Sequence, residues 1–149
     1  MTIRTPKSVQ ADHREIRARL DEAERVGGRT GAAAARLLQR LRPHFEKEEI
    51  FALPPLALLE DLAEGGQPAD ADAAIGMAER LQQEHAGMLR DHASIVEAIA
   101  EFRDAATQEK RPQAIELADA LTLHGRLEEE ILYPAAILVG EFLKLKRSR

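Results

Sequence analysis

Four stretches of this 149-residue chain carry side chains able to do chemistry, and they fall into two pairs. His44-Phe45-Glu46-Lys47-Glu48-Glu49 and His124-Gly125-Arg126-Leu127-Glu128-Glu129 stand 80 positions apart and share the His, both Glu and a later proline, Pro54 or Pro134. Asp12-His13-Arg14-Glu15-Ile16 and Asp91-His92-Ala93-Ser94-Ile95 share their Asp-His and Ile at an offset of 79. A helix brings positions i and i+4 onto one face, so each His-x-x-x-Glu offers an imidazole and a carboxylate one turn apart. Two such faces turned toward each other make a site for a metal ion. Cysteine is absent, which excludes thiolate zinc sites, cysteine nucleophiles and disulfides.

Helices must position these residues. The composition is 44% apolar, 32% charged and 3% aromatic, rich in Ala, Leu, Glu and Arg, and favours helix over sheet. Thr5 and Pro6 read as an N-cap and first helical position, with apolar spacing through Val9, Ile16, Leu20 and Ala23 to about Val26. The glycines of 27–31 read as a loop, and a second helix runs over about 32–51 until Pro54-Pro55 kinks or ends it. A short helical piece over 56–64 precedes a central loop at Gly65-Gly66-Gln67-Pro68. A long third helix covers about 71–106, and Pro112 opens a fourth that reaches about Lys146 with a disturbance at Pro134. The expected fold is all-α, an up-down-up-down four-helix bundle made of a duplicated helical hairpin, forming one domain over 1–149.

The core stripe of a bundle helix advances by threes and fours. On the fourth helix it reads Leu117, Leu121, His124, Glu128, Ile131, Ala135, Leu138; on the second, Ala34, Leu37, Leu41, His44, Glu48, Phe51. Val9, His13, Ile16 and Leu20 make the stripe of the first helix, and Leu81, His85, Met88, His92, Ile95, Ile99 and Phe102 that of the third. Every histidine thus lies on a core stripe. Burying Glu48 and Glu128 unpaired costs several kcal/mol, and no core-facing Lys or Arg answers them, so a divalent cation is the expected counter-charge. At roughly 1.5 Å per residue from the hairpin loops, His13, His44, His92 and His124 stand about 18–21 Å along the axis and the two Glu about one turn further. His85 would stand about 32 Å along by the same measure, leaving His92 as the expected third-helix ligand and His85 as the alternative. Glu49, Glu129 and Glu130 read as a solvated face or as partners of the ligands, and Tyr133 as packing at the bundle edge.

The pattern of a histidine, His-x-x-x-Glu, a histidine and His-x-x-x-Glu resembles the hemerythrin-like HHE cation-binding domain, from about His13 to Pro134. The resemblance implies a non-haem centre of two iron ions, with manganese or zinc as alternatives. It implies that His13 and His44 serve one iron, that His92 and His124 serve the other, and that Glu48 and Glu128 bridge them. Oxygen and nitrogen ligands without sulfur suit such metals. The oxygen-carrying members have His-x-x-x-His on the third helix and an Asp five residues after the fourth-helix histidine; Val96 and Glu129 stand there in this chain. The set of four His and two Glu is similar to bacterial relatives linked to iron handling, nitric oxide or oxidative stress. No Glu stands three residues before any histidine, unlike the ferritin pattern.

The expected function is therefore binding or sensing of a small diatomic ligand, oxygen or nitric oxide, or of redox state. The alternatives are a di-iron enzyme acting on peroxide or nitric oxide, an iron storage or delivery protein, and a zinc-filled structural bundle. A net charge of −5 argues against a nucleic-acid surface, and the basic 144–149 end reads as complementing a helix C-terminus. No stretch approaches the roughly 20 apolar residues of a membrane span, and a cytoplasmic location is the default expectation.

Overall fold

The computed structural model describes residues 3–148, and all regular structure among them is helical. The elements are α1 (Lys7–Val26), α2 (Gly28–Lys47), α3 (Leu59–Ala63), α4 (Ala71–Gln108), α5 (Pro112–Leu127) and α6 (Tyr133–Arg147). Single π-helical turns, Glu48–Ala52 and Glu128–Leu132, extend α2 and join α5 to α6, and a 3-10 segment, Pro54–Leu58, leads into α3. The helices pack as α1 on α2, α2 on α4, α4 on α5 and α6, and α1 on α5. No described helix is long and apolar enough to cross a membrane.

The glycine stretch read as a loop is mostly helix. Only Gly27 separates α1 from α2, and both Gly27 and Gly28 take positive φ, at 83° and 71°, which glycine adopts without steric cost. Gly31 is buried in the first turn of α2, where a Cβ would come within 2.9 Å of the Glu24 carbonyl of α1, so its role is close helix crossing. The turn stays helical because Glu109, from the far end of α4, accepts the free N–H groups of Arg29 and Thr30 at 3.1 and 2.7 Å. The Thr30 hydroxyl and backbone N–H and the Arg29 N–H together hold the Glu109 carboxyl down at about 2.

Apolar packing divides along the bundle. One cluster gathers Leu20, Leu37, Phe45, Ile99, Phe102 and Leu117 toward the hairpin loops, and a second gathers Phe51, Leu53, Leu81, Met88 and Tyr133 beyond. Between them lies a buried polar layer of His13, His44, Glu48, His92 and Glu128. The stripes expected for the first three long helices are buried except for the half-buried Val9 and His85.

On the last helix the expectation fails beyond Glu128. Ile131 and Leu138 are exposed and Ala135 is half-buried, while Tyr133, Ala136, Val139, Gly140 and Leu143 face the core. The π turn explains the change: the Tyr133 N–H donates to the Glu128 carbonyl, five residues back, so one residue more is wound in and every later position is displaced around the helix. The Leu53 N–H donates to the Glu48 carbonyl in the same way, at 2.9 Å. In both halves a proline follows the residue closing the turn, and its missing N–H and bulky ring disfavour an uninterrupted α-helix there.

Candidate metal centre

α1, α2, α4 and α5 each contribute one histidine to the layer, and the start of each π turn contributes a carboxylate. Each carboxylate reaches to both sides. Glu48 Oε1 lies 3.3 Å from His13 Nε2 and Glu48 Oε2 3.4 Å from His44 Nε2. Glu128 Oε2 lies 3.3 Å from His124 Nε2 and 3.8 Å from His13 Nε2, while Glu128 Oε1 lies 3.2 Å from His92 Nε2. Two groups of donor atoms close enough to share one ion result: His44, His92, Glu48 and Glu128, and His13, His124 and Glu128.

This grouping differs from the pairing that the resemblance implies. His44 sits with His92 and His13 with His124, rather than His13 with His44 and His92 with His124. The imidazoles of a hairpin stand at similar heights but aim across the bundle, each toward the other hairpin. His85 joins neither group. It is half-buried, its ring edge-on to Tyr133 with centroids 6.3 Å apart, and its Nε2 is buried without a partner.

The outer nitrogens are held by acidic residues. Nδ1 of His92 donates to Glu129 at 2.9 Å, that of His44 to Asp91 at 3.1 Å, and that of His13 approaches Glu49 at 3.4 Å. Such bonds place the hydrogen on Nδ1 and leave Nε2 free to bind an ion. Lys47 steadies Asp91 from outside at 2.9 Å. The sequence does not single out Asp91 as a partner, although an Asp precedes the histidine in both repeats, Asp12-His13 and Asp91-His92; Glu49 and Glu129 follow the layer's glutamates.

Tyr133 is at the centre of the layer and not at the bundle edge. Its side chain is fully buried, and its hydroxyl donates to Glu48 Oε2 at 2.5 Å and lies 3.1 Å from Nε2 of both His44 and His92. The register shift of the π turn turns it inward, a signal that a regular helical periodicity does not contain.

The layer fits a cation on two grounds. His13 Nε2, His124 Nε2, Glu48 Oε1 and Glu128 Oε2 are buried and without hydrogen-bond partners. Nε2 of His44 and Nε2 of His92 stand 2.8 Å apart, and with both Nδ1 hydrogens facing carboxylates, two lone pairs so close require a proton or a metal ion between them.

In the metal-free chain the carboxylates favour protonated imidazoles at His13, His92 and His124. Burial alone would lower the His13 pKa, but the neighbouring carboxylates of Glu128 and Glu48 push it up to about 10. His92 and His124 are raised against the same burial by Glu128 and Glu48, and Glu129 adds to the rise at His92. Burial works against ionised Glu128, but Glu48 and the imidazoles of His124, His13 and His92 around it carry it well below the usual carboxylate range. An ion must displace these protons. Loading the metal-free protein at pH 7 in weak buffer should therefore release protons, fewer as pH rises through about 10, as followed with an indicator dye. Release of none at pH 7 would contradict this electrostatic account. The sign also sets stability: the His13 contribution to the metal-free fold is complete below about 6.5 and is lost as pH rises through about 10.

A cavity of about 230 Å³, lined by His44, His92, Ile95, Val96, His124 and Glu128 among others, adjoins the layer. The larger hollow between α1 and the start of α5, of about 720 Å³, is lined by Arg19, Val26, Pro112 and Leu117 and touches none of the histidines. A family model described as the hemerythrin HHE cation binding domain matches residues 6–136. No curated protein and no solved structure gives a significant match.

Proposed function

The chain belongs to the hemerythrin HHE cation-binding domain family, and from that premise we propose that it binds two iron ions and takes up a small diatomic ligand, oxygen or nitric oxide. His13 and His124 would hold one ion, His44 and His92 the other, with Glu48 and Glu128 bridging. The observation that carries this reading is the set of four buried, partnerless atoms aimed into one layer, His13 Nε2, His124 Nε2, Glu48 Oε1 and Glu128 Oε2. The long helices would run up-down-up-down as a single domain, each histidine one turn from the carboxylates at mid-bundle.

When bound, such a metal pair supplies reversible redox change and open positions for an electron-rich ligand. The protein's own part is to orient the imidazoles through Glu49, Asp91 and Glu129 and to limit access. The cavity beside the layer is smaller than the roughly 300–1,000 Å³ typical of organic-ligand pockets, and Val96 and Ile95 give it an apolar wall. A diatomic molecule suits it.

Elemental analysis of protein purified without chelator, with its visible spectrum before and after anaerobic reduction, tests this. About two irons per chain and a spectrum that bleaches on reduction are expected. Zinc alone or no metal, persisting after anaerobic iron reconstitution, would overturn it. In the same assay His92→Ala should lose at least one metal per chain while His85→Ala keeps both; equal, negligible losses would refute the choice of His92 on α4.

A further inference from the structure

The internal repeat persists through the carboxylates and both π turns and fails at Tyr133, whose counterpart 80 positions earlier is Leu53. Both side chains are fully buried, but only one carries a donor atom. Donors that share an octahedral ion at about 2.0–2.1 Å stand about 3 Å apart when adjacent. The Tyr133 oxygen is 3.1 Å from Nε2 of His44 and 3.1 Å from Nε2 of His92, and these two nitrogens are 2.8 Å apart. The three atoms therefore have the mutual spacing of neighbouring ligands on one ion, with Glu48 Oε2 beside them at 2.5 Å from the hydroxyl. A residue that only supported the ligands would contact their outer nitrogens, as Asp91 and Glu129 do.

Resting on the two-metal reading above, we propose that Tyr133 supplies its phenolate oxygen as a further ligand to the ion held by His44 and His92. The two metal positions are then unlike. The tyrosine fills a place in one, while the His13 and His124 half has no such donor, and its buried Nε2 and carboxylate atoms are those left without partners. That second half then gathers fewer donor atoms, and the cavity beside the layer reaches it at His124.

On loading, the phenol O–H bond breaks, an oxygen–metal bond forms, the proton leaves to solvent, and no electron is transferred. In the metal-free chain burial and the charges of Glu48 and Glu128 keep the phenol protonated; a divalent or trivalent cation in the layer inverts that field.

Tyr133 is the only tyrosine and tryptophan is absent, so the tyrosine ultraviolet spectrum of this protein comes from this one side chain. The test is to load the metal-free full chain with zinc and, separately, with ferric iron, counting ions per chain. With zinc, the phenol spectrum should convert to that of phenolate at neutral pH. With iron, an intense visible charge-transfer band should appear, carrying tyrosine ring vibrations in resonance Raman. Tyr133→Phe should keep two ions and lose both signals; wild-type spectra decide the question alone should that variant fail to fold. Two ions bound with an unchanged phenol spectrum and no such band would overturn the tyrosine assignment and leave the metal reading standing. No metal uptake at all would overturn both.

Discussion

Changing Glu48 and Glu128 together to Gln is expected to reduce metal uptake from two ions per chain to essentially none. The substitution keeps the shape of both side chains and removes two negative charges from a layer where both are buried, at 0% and 1% exposure. Two cations placed among neutral imidazoles would then be desolvated without counter-charge, a penalty of several kcal/mol per ion. Each Glu also approaches a histidine of both groups, so on the two-metal reading the loss is not confined to one position. Each single variant should still lose at least tenfold in affinity, because one carboxylate remains to span the pair. Elemental analysis checks the count, and circular dichroism checks that the helices remain. A double variant that retains two ions per chain would refute the bridging role.

Deleting Glu130 alone should destabilise the protein far more than replacing it. Its side chain is 63% exposed and its ion pair with Arg126 is on the surface, so Glu130→Ala should leave the melting temperature close to that of the parent. Deletion instead removes the extra residue of the π turn. A regular helix across that point would rotate all of α6 by about 100° and shift it by about 1.5 Å. Tyr133, Val139 and Leu143 would leave the core, at about 1.5–3 kcal/mol for each large apolar side chain, and Pro134 would be forced into a helix interior at about 3 kcal/mol. The sum reaches the whole stability of an ordinary domain, about 5–15 kcal/mol. Loss of the cooperative thermal transition is expected; a deletion variant that melts within a few degrees of Glu130→Ala would refute the structural role of the turn.

The sequence made the helices and the polar layer legible because both rest on periodicity. His13, His44, Glu48, His92 and Glu128 lie on apolar stripes, and burial follows from the stripe whatever the side chain is. His85 lies on a stripe too, and counting along the axis separated it from the others. Periodicity was also the reason for the failures. A stripe extrapolated through Glu128–Leu132 assumes 3.6 residues per turn, so the wider turn put Ile131 in place of Tyr133. The pairing of histidines across hairpins depends on the direction in which each imidazole points, which height alone does not give. Gly28 and Gly31 read as loop because glycine disfavours helix in isolation; the close approach of α1 and the capping by Glu109 override that preference.

The crosswise grouping of the histidines has a mechanical meaning. Each group of donors takes one imidazole from the hairpin before the central loop and one from the hairpin after it. On the two-metal reading, each ion is a staple between the two halves of the chain, and neither half can retain a complete site by itself. Separation of the hairpins then requires release of both ions, so the loaded protein should open by the rare, concerted rupture of two cross-links, and the timescale on which metal leaves becomes the timescale on which the bundle can come apart.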